Sequence, residues 1–127
     1  MWPPIKTETV TVTTTGSAGS ATGTSTSNQM YGFLLDIYFD FHASTPATTD
    51  TTVAYGTPAN GNIIVLSNTA TDVLHAPRKQ ASDATGAAIS GVYDLFPLNG
   101  TVTISLAQSD AVTGALIARI RYVTFDR

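Results

Sequence analysis

Polar side chains alternate with large apolar ones between residues 32 and 50, GFLLDIYFDFHASTPATTD. Asp36, Tyr38, Asp40 and His42 occupy every second position, so on a β-strand they would share one face. Neighbouring positions on one face lie about 6.5–7 Å apart, and two carboxylates at this spacing can act as an acid–base pair or help to bind Ca²⁺. We favour a third interpretation, a strand face that contacts solvent or another subunit, because no nucleophile or further ligand set accompanies these carboxylates.

Two like charges on one strand face repel each other, so a counter-charge is expected nearby. Arg119 and Arg121 alternate along the last apolar segment of the chain. We predict that these two arginines pair with Asp36 and Asp40, and that the polar face is a packing or subunit surface.

Other combinations of residues that carry out chemistry are scarce. The chain has no cysteine and only two histidines, His42 and His75, which is a weak basis for a zinc site. The Gly-rich stretch 16–23 lacks the GK[ST] ending of a phosphate-binding loop, so a turn is favoured. No catalytic residue, metal ligand or cofactor is predicted. In the segment HAPR, Pro77 restricts the residue before it and would present Arg78 rigidly, as a surface loop or a functional patch.

The odd positions of the same segment predict the centre of the core. Phe33, Leu35, Ile37, Phe39 and Phe41 are all apolar and would share the other face of the strand. A helix would distribute the two aspartates around an apolar cylinder and form no clean stripe. This period of two predicts an all-β protein.

Further strands follow from β-branched runs separated by Gly, Pro and Asn-Gly turns. We expect a hairpin between the first two strands, a polar edge strand as its second arm, a buried strand at 62–67, a surface loop at 82–91 and a turn at Asn99-Gly100. Seven or eight short antiparallel strands predict a single-domain β-sandwich or small β-barrel over residues 6–127, preceded by an N-terminal arm over residues 1–5. The remaining predicted strands span residues 5–15, 22–29, 31–42, 51–56, 73–74, 102–106 and 115–124.

Composition narrows the class of partner. The 127 residues include 22 threonines and 12% charged residues, with a net charge of −3. Nucleic-acid binders usually carry a basic patch, and a membrane span needs about 18 consecutive apolar residues, so neither partner is expected. A Thr-rich surface with few charges protects strand edges poorly, and neighbouring subunits are the simplest cover.

The order of several segments resembles small structural proteins of tailed-phage virions, of the capsid decoration or cement type. The resemblance covers nearly the whole chain. It implies a virion protein made in the host cytoplasm, bound to the major capsid protein or other virion proteins as a homo-oligomer, for which we expect a trimer. It brings no catalytic residues. The segments are TVTVTTTGSAGSATG (9–23), GFLLDIYFDFHA (32–43), NTATD (68–72), HAPR (75–78), GVYDLFPLNG (91–100) and TVTISLAQSDA (101–111).

Ten residues are the candidate interface. Trp is a common interface anchor, and Pro-Pro keeps an arm extended at low entropic cost. The alternatives are a carbohydrate- or receptor-binding module built on Tyr31, Tyr38 and Tyr55, a head–tail connector component and, last, a small hydrolase. The interface candidates are Trp2, Pro3, Pro4, Ile5, Asp36, Tyr38, Asp40, Arg78, Arg119 and Arg121.

Overall fold

Antiparallel strands dominate the computed structural model, which describes residues 4–56 and 61–125. Eleven strands lie within this part of the chain, more than the seven or eight that were predicted, because several short strands flank the long ones. They are β1 (Ile5–Val12), β2 (Ala21–Thr26), β3 (Met30–Phe41), β4 (Asp50–Tyr55), β5 (Asn62–Leu66), β6 (Val73–His75), β7 (Arg78–Ser82), β8 (Ala88–Leu95), β9 (Pro97–Gly100), β10 (Val102–Ser109) and β11 (Leu116–Thr124).

The strands form two main sheets and a separate hairpin. The first sheet has the order β1-β11-β3-β6, and β9 also pairs with β3. The second sheet has the order β2-β10-β4-β5, and β7 pairs only with β8. Since the inner faces of both sheets supply one apolar core, the predicted all-β, sandwich-like or barrel-like fold is confirmed.

Alternation along β10 and β11 places their apolar side chains in this core. Val102, Ile104 and Leu106 are buried on β10, as the sequence pattern predicts. The first and last strands of the described residues, β1 and β11, are neighbours, with Val10 opposite Ala118. Buried residues on β11 are Leu116, Ala118, Ile120, Tyr122 and Thr124.

The central strand β3 corrects the predicted core face. Ile37, Phe39 and Phe41 are buried as expected. Phe33 is 37% exposed, however, and Leu34 is buried in its place. The reason is a register shift against β11, in which Arg121 lies opposite Asp36 and the next residue, Tyr122, lies opposite Leu34. The extra residue, Leu35, forms a β-bulge that reverses which face each following side chain occupies.

Close backbone approaches require glycine on two strands. A Cβ on Gly32, whose φ is +152°, would lie 1.7 Å from the carbonyl oxygen of Val123. A Cβ on Gly23 would lie 2.3 Å from the carbonyl oxygen of Thr13. Gly23 therefore permits β2 to pass close to the end of β1, where the two sheets meet.

The predicted first hairpin is only partly correct. Thr15 and Thr22 form one isolated bridge, after which β1 and β2 enter different sheets. The polar strand β2 lies at an edge of its sheet, as predicted. Its connection to β1 is thus an arch between sheets, because each strand finds a longer partner in β11 or β10.

Three local expectations were wrong. The run at 62–67 is not a buried strand, since β5 is an edge and Val65 is exposed. Residues 88–91 of the expected loop belong to β8. Asn99 and Gly100 lie in β9, which pairs with β3. In each case the partner strand, rather than the local composition, decides the conformation.

The predicted N-terminal arm extends partly into the first sheet. Trp2 and Pro3 lie outside the described residues. Ile5 begins β1 opposite Val123, and the Pro4 carbonyl accepts a hydrogen bond from the Thr124 amide at 3.1 Å. Pro4 and Ile5 are therefore paired with β11, and neither is free to act as an extended arm.

Candidate interaction surface

The outer face of the first sheet carries two ion pairs. Arg121 lies directly opposite Asp36, and its Nε donates a 2.8 Å hydrogen bond to Asp36 Oδ1, while its Nη2 donates to Oδ2. Arg119 reaches diagonally across the ladder, where its Nη1 donates to Asp40 Oδ2 at 3.2 Å. The predicted pairing of both carboxylates with these arginines is confirmed, whereas their role at an interface stays a prediction.

The two ion pairs differ in exposure. The Asp36 side chain is 11% exposed and the Asp40 side chain 36%. The hydrogen bonds from Arg121 lower the pKa of Asp36 below its ordinary value; burial opposes this, and the positive charges of Arg121 and Arg78 add to it. Asp36 is therefore held as an anion, which is unsuited to a general acid near neutral pH.

Arg78 is bound to the backbone at the bulge. Its Nη1 donates to the carbonyl oxygen of Leu35 at 3.0 Å and to that of Pro77 at 2.8 Å. Leu35 lies between the stretch of β3 that pairs with β9 and the stretch that pairs with β6. Arg78 begins β7 rather than ending a loop, and its guanidinium satisfies a carbonyl acceptor at the gap between β9 and β6. Its role in a functional patch stays a prediction.

Apolar side chains surround the ion pairs. Tyr38 lies opposite Leu74 of β6, and both are exposed. At the other end of the face, the exposed rings of Phe33 and Phe125 meet edge to face with centroids 5.3 Å apart. A shallow cavity of about 350 Å³ is lined by Thr7, Asp36, Tyr38, Leu74, Arg119 and Arg121. Aromatic and arginine side chains are enriched at protein interfaces, so this combination favours contact with a protein.

The outer face of the second sheet is different in character. Thr24 Oγ1 donates to Ser105 Oγ at 3.2 Å, and the hydroxyls of Thr26 and Thr103 lie 3.4 Å apart. These residues are direct cross-strand neighbours. The hydroxyls of this face bond to one another, and the Asp50 carboxylate on the same face accepts a hydrogen bond from the Asn68 amide, so the face offers fewer anchors than the first sheet.

The sequence pattern did not predict the β7–β8 hairpin. Ile89, Val92 and Tyr93 are exposed on it. Between the hairpin and the first sheet lies a groove of about 630 Å³, whose lining includes Phe33 and Pro97. The apolar spacing of β8 was the available signal, but the small polar residues from 82 onward concealed it.

The candidate catalytic and binding residues do not converge. His42 Nδ1 accepts a hydrogen bond from the Ser44 amide, and His75 packs against Phe39. Tyr55 belongs to the second sheet and is half-buried against Phe96, so it is apart from Tyr31 and Tyr38 on the first sheet. Within residues 4–56 and 61–125, no three His, Asp or Glu side chains gather where they would hold a metal ion.

Among the residues that the structure describes, no helix has both the length and the apolar character needed to cross a bilayer.

Comparison with known proteins adds no family. No protein-family model matches the chain, and no curated protein matches its sequence. The resemblance to phage virion proteins therefore depends on the sequence segments quoted above and stays a prediction.

Proposed function

We propose that this chain is a non-enzymatic structural protein of a phage virion, which decorates or stabilises the capsid as a homo-oligomer. The proposal combines the resemblance of the sequence segments with a surface suited to protein contacts. Its partners would be the major capsid protein or neighbouring virion proteins, and the protein would act through buried area and strand pairing.

The observation that carries this proposal is the outer face of the first sheet. Its two carboxylates are neutralised by Arg119 and Arg121, so covering the face leaves no isolated charge of that group without a partner. Exposed Tyr38, Leu74 and Phe33 supply apolar area around them. A face of paired charges with aromatic neighbours supports docking against another protein surface.

The test is co-sedimentation of the purified chain with capsids that lack it. We expect saturable binding by the wild type, and weaker binding when Leu74 and Tyr38 are both replaced by Ser. The matched control replaces Thr24 and Thr103 on the other outer face by Ser, which should leave binding unchanged. A wild-type chain that stays in the supernatant would refute the proposal.

The N-terminal residues are tested in the same assay. Deleting residues 1–3 keeps Pro4 and Ile5, which are paired with β11, and the fold should therefore persist. We expect the deletion to weaken capsid binding because it removes Trp2. Unchanged occupancy would remove the arm from the proposed contact.

A further inference from the structure

The two sheets leave four strand edges in the described part of the chain, and three of them are protected. At the corner between the sheets, β1 and β2 cover each other: Ser25 Oγ donates to the Thr11 carbonyl at 2.8 Å, and Glu8 Oε2 accepts from the Asn28 amide at 2.6 Å. The edge beyond β3 is divided between the short strands β6 and β9. Charges, short strands and close cover are the usual protections against edge-to-edge pairing.

The fourth edge, β5, is a five-residue strand with a register shift that leaves Ile63 unpaired, and beyond that shift it has neither a charged side chain nor a covering strand in the described part of the chain. Its sequence, NIIVL, contains no charge and no proline. It ends the order β2-β10-β4-β5, so no described strand pairs with its outer side. Val65 is 51% exposed, and Ile64 and Leu66 are only partly buried although they pack against the core. The core is therefore left open along this edge.

We propose that β5 is a self-association edge, which pairs antiparallel with β5 of a second copy around a two-fold axis at Val65. The proposal deepens the homo-oligomeric function proposed above and rests on it. Two copies related in this way would join their four-stranded sheets into one continuous sheet of eight strands.

The side chains of β5 are self-complementary in this register. Ile64 lies opposite Val53, and Leu66 opposite Thr51, both of which are buried, so Ile64 and Leu66 face the core. Val65 lies opposite Thr52 and faces outward. Pairing centred on Val65 places Ile64 of one copy opposite Leu66 of the other, twice, and places the two Val65 side chains together.

A second copy is favoured over an unrelated strand because a two-fold axis at Val65 pairs core-facing Ile64 with core-facing Leu66 on both sides of the axis. It extends the existing core across the axis rather than adding a separate contact. The uncharged edge also lacks any side chain that would select a charged partner. A two-fold contact joins copies in pairs, so it predicts a dimer, or a larger even-numbered assembly, in place of the expected trimer.

The absence of cysteine provides a direct test. Val65→Cys introduces the only thiol of the chain, and directly opposite Cα atoms lie about 4.5–5.5 Å apart in an antiparallel pair, within disulfide range. We expect mild oxidation to convert most of the V65C protein to a covalent dimer. The matched control, Thr24→Cys on the outer face of the second sheet, should remain uncrosslinked.

Solution mass tests the same edge without a new bond. The wild type should have twice the chain mass of 13.3 kDa, or a larger even multiple of it, and Val65→Lys should halve the mass, because the two lysines would face each other. Val92→Lys, at a similarly exposed position on β8 (45%), should leave the dimer intact. Loss of the dimer in V92K but not V65K, or a wild-type monomer or trimer, would overturn the proposal.

The crosslinking and capsid-binding experiments distinguish failure of the β5 pairing from failure of the proposed function. A V65C dimer that forms normally but does not co-sediment with capsids leaves the β5 pairing standing and refutes the virion role. If the chain binds capsids while V65C fails to crosslink, the virion role stands and the β5 pairing is refuted.

Discussion

At the scale of single residues, the charged pairs on the outer face show what spacing alone predicts. The period of two placed Asp36 and Asp40 on one strand face and Arg119 and Arg121 on another, and the ladder register brings them together. The unequal burial of the two pairs depends on neighbours contributed by other strands. The spacing of the charged residues therefore predicts which of them form ion pairs, whereas tertiary packing decides how much each ion pair contributes to stability.

The pairing of Asp36 predicts a dependence of stability on pH. Because its pKa is lowered in the folded protein from an ordinary value of 3.8, the stabilisation is fully present above that pH. It is lost as the pH falls through the lower, folded-state pKa. We expect the wild type to lose more stability than Asp36→Asn between about pH 5 and pH 2, as measured by urea unfolding at each pH.

The neighbouring pair supplies the control for this titration. Asp40→Asn removes a carboxylate whose pair with Arg119 is more exposed, and exposed pairs contribute only about 0–1 kcal/mol. The loss of stability of D40N with falling pH should resemble that of the wild type more closely than the loss for D36N does. Identical acid slopes in the wild type and D36N would contradict a role for Asp36.

At the scale of elements, the bulge in β3 decides which aromatic residues form the core. The alternating pattern predicts Phe33 and Phe39 as equivalent, but the register shift at Leu35 separates them. Phe39 is completely buried, whereas Phe33 is 37% exposed. We expect Phe39→Ala to cost about 3–5 kcal/mol of unfolding free energy, as for other buried aromatics.

Phe33→Ala is the matched variant, with the same substitution on the same strand. It should cost less than half as much, because its ring contacts Phe125 at the surface rather than the core. Denaturant midpoints at a constant m-value measure both changes. Equal costs would mean that β3 alternates without a bulge.

The bulge also shows which parts of this fold the sequence pattern can predict. Strict alternation on β10 and β11 was read correctly because both strands are paired on both sides along most of their length. β3 was misread because an inserted residue such as Leu35 has no composition signal of its own. The β7–β8 hairpin and the open β5 edge depend on which strands become neighbours, which local pattern does not specify.

At the scale of the whole molecule, the first sheet joins strands that are far apart in the sequence. β11 lies between β1 and β3, so the last strand completes a sheet that the first strand began. Pairing between such distant segments makes β proteins fold slowly compared with helical ones. The sheet is therefore complete only after residues from both ends of the chain have met.

The pairing of β1 with β11 predicts that the chain tolerates circular permutation, with new termini in the turn of the β7–β8 hairpin. The Pro4 carbonyl and the Thr124 amide are hydrogen-bonded, so a short linker in place of the segments outside residues 4–125 can join Phe125 to Pro4 at little cost. New termini between Ala84 and Thr85 open the exposed turn of the β7–β8 hairpin, which belongs to neither main sheet. We expect a free energy of unfolding within about 1 kcal/mol of the wild type.

A second permutant, opened between Thr113 and Gly114, is the control. This turn is bonded into the structure, since the Gly114 amide donates to Thr13 Oγ1 and the Val112 amide donates to buried Thr14 Oγ1, each at 3.0 Å. Opening it should cost about 1–3 kcal/mol more, because buried hydrogen-bonding groups lose their partners. If the hairpin permutant were the less stable of the two, the hairpin would be part of the folding core, and the division into two sheets and a peripheral hairpin would be wrong.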